Sequence, residues 1–526
     1  MDFLNNNVLP IILFFPVLAA LLILCLPGDK LKLIRWTALI ASLVPLVLSV
    51  WMWLNFKNGA PGFQFEFLQP WYDVIHSSFH LGVDGLSLTM VLLTTLLMPI
   101  AILASFGISD KLKAYMMLFL FLETGMLGVF MAVDLLIFFV FWEVGLVPMY
   151  FLINQWGSPT GERELWGGMK VSARNYASLK FIIYTMAGSL GLLLAIQLLG
   201  VLFNTYDLTT LYAKWNQLPD SANMLAWVNG TFFTVGQVKT VAFWAFVIAF
   251  AIKVPVWPFH TWLPDAHTEA PTAGSMILAG VLLKLGAYGF LRLVLPLYPA
   301  QSQHYAGWLA FLATMAIVFG AFAAFGQTDF KRLVAYSSIN HMGFVVLGIA
   351  AAASAIGTPD ATIALNGAIL QMFNHGLSAA GMFFLVGVIY ERTHTRDLEK
   401  YGGLFPLVPI YGGILIFTSM ASLGLPGLNG FVSEFLVVRG SLPLLPVFTA
   451  ISMIGLLFTG AYVLKGIKKV LHGPLNEEWA HGEHVLTEIS TREIVVMAPL
   501  MALILVIGIW PLWILDVINK FSQLVH

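Results

Sequence analysis

Charged residues are scarce in this sequence. Asp, Glu, Lys and Arg make up only 10% of the 526 residues, whereas hydrophobic residues make up 59%. A soluble domain averages about 25% charged residues. Long polar stretches are missing too, since the longest, over residues 55–80, 204–239 and 472–492, are no longer than loops. The composition therefore predicts a membrane protein and excludes a separate water-soluble catalytic domain.

Cysteine and net charge are nearly absent as well. The single cysteine, Cys25, excludes intrachain disulfides and any iron-sulfur cluster held by four cysteines of this chain. A net charge of −1, without any run of lysines and arginines, gives no basis for binding nucleic acid. We therefore expect no cofactor and no nucleic acid on this chain.

Long apolar runs dominate what is present. A hydrocarbon core of roughly 30 Å needs about 20 apolar residues per helix. Runs of that length predict about fourteen transmembrane helices, beginning near residues 8, 34, 84, 112, 134, 178, 240, 272, 306, 331, 362, 406, 443 and 494. One set of alternate loops holds 17 of the 26 lysines and arginines. The positive-inside rule then predicts an all-α polytopic protein with both termini on the outer face.

Several charged residues fall inside these apolar runs, namely Glu123, Glu143, Lys253, Lys284 and Glu434. A charge at mid-bilayer costs roughly 2.5–3.5 kcal/mol even on lenient scales, so each needs a partner, water or a function. Buried ion pairs that lock helices together are one interpretation. The alternation of acids and bases over separate helices favours a proton relay, in which neighbouring charges shift each group towards neutrality.

Two histidines extend this series, His341 in span 10 and His375 in span 11. Each is a hydrogen-bonded core residue in one interpretation and a relay member in the other, which the surrounding charges favour. A bis-histidine haem site is disfavoured, because paired histidines on facing helices are not evident in the sequence.

Two spans are interrupted by helix breakers. KVPVWPFHTWLPD (residues 253–265) places three prolines after Lys253, and LGLPGLNGFVSEF (residues 423–435) places glycines and a proline before Glu434. These breaks lie in spans 7 and 12, the fourth span in each of two five-span units, which predicts two inverted repeats with ion sites at the breaks. Kinks that serve only packing are the alternative. The predicted segments are 1–110 (spans 1–3), 111–298 (first repeat, spans 4–8), 299–470 (second repeat, spans 9–13) and 471–526 (loop and span 14).

The segment that follows the first break, HTWLPDAHTEAP (residues 260–271), contains His260, Asp265, His267 and Glu269. We expect a proline-rich surface turn here. Its side chains lack the i, i+4 spacing that would converge on a metal ion, so helix capping or proton uptake is the favoured interpretation and no metal site is predicted.

Residues 253–289, KVPVWPFHTWLPDAHTEAPTAGSMILAGVLLKLGAYG, and residues 333–344, LVAYSSINHMGF, closely resemble the proton-pumping, antiporter-like membrane subunits of respiratory complex I and the related Mrp antiporter subunits. The resemblance covers spans 3–14. It implies that Glu143 and Lys253 form the pair that drives translocation and that Lys284 is the central lysine. It also implies that His341 and His375 lead towards a terminal residue in span 12. With this implied pair, we expect Glu123 to accompany Glu143 beside Lys253.

The identity of that terminal residue separates the members of this family. A glutamate at this position, Glu434, resembles the chain M type (mitochondrial subunit 4), whereas the chain L and chain N types carry lysine there. The chain also ends at His526, soon after span 14, which again resembles chain M, because chain L continues into a long lateral helix.

The resemblance implies a proton-translocating subunit of NADH:quinone oxidoreductase in a bacterial inner membrane. Expected partners are chain L-like and chain N-like antiporter subunits, small membrane subunits, the lipid bilayer and protons. NADH or ferredoxin, FMN, iron-sulfur clusters and quinone are expected in partner subunits. A stand-alone Mrp-type sodium/proton antiporter subunit and a structural scaffold of a redox complex remain the alternatives.

Overall fold

Long apolar helices form nearly all of the computed structural model, which describes residues 2–164, 168–226, 232–479 and 486–524. The helices of the first half are α1 (Asp2–Cys25), α2 (Leu31–Asn55), α3 (Gly85–Ala104), α4 (Leu112–Met131), α5 (Leu135–Val144), α6 (Leu146–Trp156), α7 (Ala173–Phe203), α8 (Leu208–Gln217), α9 (Val235–Lys253), α10 (Trp262–Glu269), α11 (Thr272–Ile277), α12 (Leu283–Gly289), α13 (Leu295–Leu297) and α14 (Pro299–His304). Those of the second half are α15 (Ala306–Phe325), α16 (Phe330–Ser354), α17 (Pro359–Thr393), α18 (Pro409–Leu423), α19 (Asn429–Leu444), α20 (Pro446–Leu471), α21 (Thr491–Ile509) and α22 (Leu512–Leu524).

Thirteen helical segments within the described ranges are long and apolar enough to cross a membrane. Helices α18 and α19 together form a fourteenth crossing, which is span 12. Each span begins within five residues of the apolar run that predicts it. The predicted fold class, an all-α polytopic membrane protein, is confirmed.

Acidic residues mark where several of these helices begin. The side chains of Asp84, Asp134, Asp207 and Asp329 each accept a hydrogen bond from a backbone N–H in the first turn of α3, α5, α8 and α16. Such caps satisfy backbone donors that have no partner inside the helix. Polar residues at the ends of apolar runs therefore fix the bounds of the spans.

The described ranges contain three antiparallel hairpins between spans: β1 (Gln64–Tyr72) with β2 (Ser77–Val83), β3 (Glu162–Glu164) with β4 (Lys170–Ser172), and β5 (Asn223–Ala226) with β6 (Phe232–Thr234). Consecutive spans run in opposite directions, so the β1–β2 hairpin and α8 lie at one end of the bundle, which we call the hairpin face. The β3–β4 hairpin and α10 lie at the other end, which we call the opposite face. The polar stretches predicted as loops thus hold regular structure.

Both predicted helix breaks are present. Helix α9 ends at Lys253 and α10 begins at Trp262, while α18 ends at Leu423 and α19 begins at Asn429. Prolines interrupt the first span because they lack the N–H that continues a helix. In the second, Gly424 adopts a left-handed conformation with φ of 86°, which favours glycine.

The prediction of a surface turn after the first break is wrong. Residues Trp262 to Glu269 form helix α10, and all eight are buried. The indole of Trp262 donates a hydrogen bond of 2.8 Å to the Ile252 carbonyl, and Asp265 forms an ion pair of 2.7 Å with Lys180. A backbone carbonyl of α9 and a lysine of α7 therefore help to hold this polar segment inside the bundle.

Span 8 (Thr272–Leu297) and span 11 (Pro359–Thr393) lie at the centre of the bundle, and their most apolar windows are completely buried. Span 8 contains two π-helical segments, Leu278–Leu282 and Phe290–Val294. A π-helical turn leaves a carbonyl oxygen free of its usual partner and often occurs at functional sites. The first of these segments ends two residues before Lys284.

Candidate functional site

A buried lysine and histidine meet at the centre of the bundle. The Lys284 ammonium donates hydrogen bonds to the Ala279 carbonyl at 2.5 Å and to His375 Nδ1 at 2.7 Å. Lys284 is inaccessible to solvent and His375 nearly so. The Ala279 carbonyl belongs to the π-helical segment, so the irregular turn supplies an acceptor to the lysine.

A second pair, His341 and Glu434, lies beside the first. The His341 ring lies 5.7 Å from the His375 ring, measured between centroids. Its Nδ1 lies 2.7 Å from Glu434 Oε1, which also accepts a hydrogen bond of 2.9 Å from Gln371. The other ring nitrogen, Nε2, lies 3.2 Å from the Tyr462 hydroxyl. Lys284, His375, His341 and Glu434 thus form one buried series of polar side chains, which we call the central row.

The central row lies close to the middle of the spans that carry it. Lys284, His375 and His341 are each near the midpoint of their helices, and Glu434 lies just after the break in span 12. Span 8 and span 11 approach closely at this level, because Gly376 packs against the Gly280 carbonyl. A Cβ atom at Gly376 would lie 3.0 Å from that carbonyl oxygen, so the close approach of the two helices requires glycine there.

Paired histidines on facing helices are not evident in the sequence, but α16 and α17 bring the rings of His341 and His375 together. A haem would need one ring nitrogen from each histidine directed at a shared iron. Three of the four ring nitrogens already contact Lys284, Glu434 and Tyr462. The donor groups therefore fit a hydrogen-bonded series better than a haem site.

Lys253 lies in the other half of the bundle, at the end of α9. Its ammonium is 4.4 Å from the centre of the Trp142 ring, in cation–π contact, and it has no hydrogen-bond partner among the described side chains. Glu143 lies within electrostatic range of this ammonium. Among the described residues no ion pair within 4.0 Å joins Glu143 to Lys253. The expected pair therefore interacts only through longer-range electrostatics.

Glu123 is fully buried in α4, and neither of its carboxylate oxygens has a hydrogen-bond partner in the described ranges. Gly125, two residues further on, packs against the backbone of Gly145, two residues after Glu143. Helices α4 and α5 therefore bring both glutamates to one crossing. Within the described residues no hydrogen bond joins Glu123 to Lys253.

Gln371, Tyr462 and Trp142 contact the candidate residues, although none of the three was predicted from the sequence. Gln371 lies one helical turn before His375, so the spacing of polar residues on α17 is a signal that could have identified it. Tyr462 and Trp142 occur in apolar spans rich in aromatic residues, which gave no signal. A search for charged residues does not detect amide, phenol and indole groups.

The four polar residues of 260–271 do not converge. Asp265 pairs with Lys180, and its other oxygen lies 3.6 Å from Arg163 and 3.4 Å from Arg332. His267 does not join these residues, because its ring stacks on the ring of Phe383 in α17. Among the described residues no three His, Cys, Asp or Glu side chains are grouped as metal ligands.

A histidine outside the spans lies on the hairpin face. His80 contacts Asp207 through Nδ1 at 2.9 Å and Glu66 through Nε2 at 3.0 Å. Burial disfavours the charged imidazolium, but the two carboxylates outweigh it and raise the pKa of His80. His80 borders a cavity of about 650 Å³, which Arg292 and Lys520 also line.

All four side chains of the central row are able to gain or lose a proton. Contacts of 2.7 Å between Lys284 and His375 and between His341 and Glu434 are short enough for direct proton transfer. The arrangement is therefore suited to moving protons between helices rather than to holding an organic substrate.

Comparison with known proteins agrees with this chemistry. The family model described as "NADH:quinone oxidoreductase/Mrp antiporter, TM" matches residues 132–459. NADH-quinone oxidoreductase subunit M of Rhodobacter capsulatus is 38% identical over 523 residues, which cover 98% of this chain and 95% of the relative. The chain belongs to the subunit M family of NADH-quinone oxidoreductases. Membership of this subunit M family confirms the predicted resemblance to chain M, and the predicted function as a proton-translocating membrane subunit of complex I.

Solved structures share the fold. A chain in the structure of respiratory complex I from Thermus thermophilus with bound NADH aligns with a TM-score of 0.81 at 26% identity, over 98% of this chain and 100% of that chain. A chain of the Mrp complex from Dietzia sp. aligns with a TM-score of 0.78 at 22% identity, over 98% of this chain and 52% of that chain. At this identity the second likeness shows only that the two chains share a fold.

Proposed function

We propose that this member of the subunit M family moves one proton per catalytic cycle through Lys253, Lys284, His375, His341 and Glu434. The observation that carries the proposal is the central row, in which two pairs at 2.7 Å lie side by side in a buried setting. Titratable groups inside a membrane are costly, so a series of them is retained for proton transfer more readily than for packing.

The proton steps follow from the contacts. The Lys284 ammonium gives a proton to His375 Nδ1 along their hydrogen bond. His375 Nε2 makes no hydrogen bond among the described residues, so its proton passes through a water molecule to His341 Nε2, and the His341 Nδ1 proton then passes to Glu434 Oε1. Each step breaks one N–H bond and forms one N–H or O–H bond, so no charge or atom is lost. Glu434 then releases the proton towards the outer side.

Lys253 controls the loading of this series in our proposal. Its ammonium is held by the Trp142 ring and by the more distant charge of Glu143. A movement that brings Glu143 closer favours the protonated lysine, and a movement that separates them favours release of the proton. Glu123 is buried and has no hydrogen-bond partner among the described residues, and it is the second acid that contributes to this balance.

The two broken helices support a repeat organisation. We assign residues 111–298 (spans 4–8) and 299–470 (spans 9–13) to two inverted repeats, with Lys253 at one break and Glu434 after the other. Residues 1–110 and 471–526 flank them. By the positive-inside rule, the hairpin face is the outer side of a bacterial inner membrane, where both termini lie, and the opposite face is the cytoplasmic side.

The energy for transport comes from partner subunits in this proposal. NADH oxidation at FMN, electron transfer through iron-sulfur clusters and quinone reduction take place there, and this chain carries no redox centre. Its neighbours are chain L-like and chain N-like antiporter subunits together with small membrane subunits. Quinone reduction then acts on this chain by changing the electric field around Glu143 and Lys253.

Replacement of each buried lysine by methionine tests the proposal. We expect Lys253→Met and Lys284→Met in the intact complex to lose NADH-driven proton uptake into proteoliposomes, because methionine keeps the apolar stem but carries no proton. Lys239→Met is the matched control, since Lys239 is equally buried but bonds Asp220 and the Leu218 carbonyl away from the central row. Normal uptake in both test variants would favour a structural scaffold instead.

A further inference from the structure

Asp265 in α10 lies among more positive charge than it balances. Lys180 donates a hydrogen bond of 2.7 Å to one of its carboxylate oxygens, while Arg163 and Arg332 lie 3.6 and 3.4 Å from the other. Three cations thus surround one anion at the opposite face, which leaves an excess of two positive charges. Basic residues grouped at a membrane surface attract anionic lipid headgroups.

Neighbouring acidic side chains do not remove this excess, because each lies beside a cation of its own. These neighbours are Glu162 with Lys170, Asp329 with Arg396, and Glu269 with Lys331. The unbalanced charge therefore remains on Lys180, Arg163 and Arg332, which we call the basic cluster.

An apolar groove of about 300 Å³ runs along α7 beside the basic cluster. Two rows of side chains, each with members four residues apart, line it: Asn175, Leu179 and Ile183 in one row, and Tyr176, Lys180 and Tyr184 in the other. Rows at this spacing form ridges on a helix with a groove between them. Leu179 and Ile183 are exposed, so the groove opens to the surroundings of the bundle.

The β3–β4 hairpin places Arg163 on the side of this groove. Arg163 lies directly opposite Val171, which lines the groove, and directly opposed residues of antiparallel strands share one face of the hairpin. Glu162 and Glu164 lie on the other face, because side chains alternate along a strand. The Arg163 side chain is 46% exposed and reaches Asp265 only at 3.6 Å, so its N–H groups are open to a further acceptor.

The row that contains Lys180 is fixed from behind. The Tyr184 hydroxyl lies 2.8 Å from the Thr261 hydroxyl, and the Lys180 ammonium bonds Asp265 and lies 5.5 Å from the centre of the Tyr176 ring. An ammonium group has three N–H donors. Asp265 accepts from one of them, so two remain for a ligand among the described residues. The groove therefore ends at a cation that is already held in place.

This site lies near the boundary of the hydrocarbon core. Helix α7 has 31 residues, which is about 46 Å at 1.5 Å per residue, whereas the core is roughly 30 Å thick. Lys180 comes seven residues after Ala173, the first residue of α7, which is about 10 Å from that end. Ile183 lies deeper along the same helix. Such depths suit a phosphate at Lys180 and an acyl chain beside Ile183.

We propose that the basic cluster and the groove on α7 bind an anionic phospholipid. Its phosphate accepts hydrogen bonds from Lys180 and Arg163, and one acyl chain lies along Leu179 and Ile183. Charge complementarity favours this lipid over an apolar helix of a partner protein, which would leave the positive charge unbalanced. The inference does not depend on the proposed proton steps, and it places a lipid site beside α10.

A photoreactive lipid tests the site in the intact, purified complex. The probe is phosphatidylglycerol with a diazirine in one acyl chain, and phosphatidylcholine with the same chain is the comparison. After illumination and digestion, mass spectrometry measures the labelling of the peptide that contains Ile183 and Tyr184. We expect phosphatidylglycerol to label it at least about tenfold more than phosphatidylcholine, because each basic residue near an anionic lipid contributes about fivefold in affinity.

Two substitutions test the headgroup and the acyl chain separately. Arg163→Gln should lower labelling by phosphatidylglycerol about fivefold and leave phosphatidylcholine unchanged. Its matched control is Lys170→Gln in the same hairpin, since Lys170 pairs with Glu162 away from the groove. Leu179→Trp narrows the groove and should lower labelling by a similar factor, whereas Leu190→Trp, at an exposed position of α7 outside the groove, should not.

Four results would overturn the inference. Equal labelling by the two lipids means that the groove takes any acyl chain, and unchanged labelling in Arg163→Gln means that the basic cluster does not select the headgroup. Displacement of the probe by glycerol phosphate assigns the basic cluster to a soluble anion. If neither lipid labels the peptide in the intact complex, a neighbouring protein covers the groove.

Discussion

Glu434 permits a substitution that separates charge from hydrogen bonding. Its Oε1 atom accepts hydrogen bonds from Gln371 and from His341 Nδ1, at 2.9 and 2.7 Å. Glu434→Gln keeps an acceptor oxygen for both donors but cannot take up or release a proton. Glu434→Ala leaves both donors without an acceptor in a buried site. The two variants therefore differ in stability and share one functional defect.

The size of this difference follows from the contacts. A buried donor left without a partner costs roughly 1–3 kcal/mol, so Glu434→Ala is expected to lose about 2–6 kcal/mol through its two donors alone. Glu434→Gln exchanges two charge-assisted bonds for neutral ones, at about 1 kcal/mol each, and no longer buries a charge, which offsets this loss. We expect its net change to be close to zero.

Two assays on the intact complex check these values. Heating, followed by measurement of the chain retained in the complex, should place Glu434→Gln near wild type and Glu434→Ala clearly below it. NADH-driven proton uptake in proteoliposomes should be lost in both. Wild-type uptake by Glu434→Gln would refute the role of Glu434 as a proton carrier, and equal thermal stability of the two variants would refute the hydrogen-bond assignment.

Two further predictions concern the helix break and the hairpin face. Gly286→Ala places a Cβ atom 2.7 Å from the Phe250 carbonyl oxygen, so we expect a loss of about 1–3 kcal/mol, seen as a lower denaturation temperature of the complex. Asp207 and Glu66 raise the pKa of His80, so the charged imidazolium stabilises the folded protein. Below pH 6.5 the free energy of unfolding of wild type should therefore exceed that of His80→Gln by about 1 kcal/mol, a value that allows for the half-exposed Glu66. That advantage should disappear as the pH rises through the raised pKa, and a pH-independent difference in denaturation temperature would contradict it.

The spans could be predicted from the sequence because the bilayer imposes a length and a composition on each one. Prolines after Lys253 and glycines before Glu434 also predict the breaks, since both residue types act on the local backbone. These signals are contained within about 20 residues of sequence. The order of charges along the spans likewise identified the residues that now form the central row.

The contacts between distant segments could not be predicted in this way. Helix α10 is buried because Lys180, Arg163 and Arg332, from three separate parts of the chain, surround Asp265. A local window shows only a polar, proline-rich stretch, which led to the wrong expectation of a surface turn. The hairpins between spans were missed because β3, β4, β5 and β6 have only three or four residues each, and because β1, although nine residues long, does not alternate between buried and exposed positions.

The position of the central row at mid-span has an electrical consequence. Moving an elementary charge across a membrane potential of 100 mV takes about 2.3 kcal/mol. Lys284, His375 and His341 lie at similar depths, near the midpoints of their helices, so a proton passing among them moves along a surface of nearly constant potential. The work against the potential is then done in the steps that load the row and empty it. A change in membrane voltage should therefore alter those two steps and leave transfer between Lys284 and Glu434 almost unaffected.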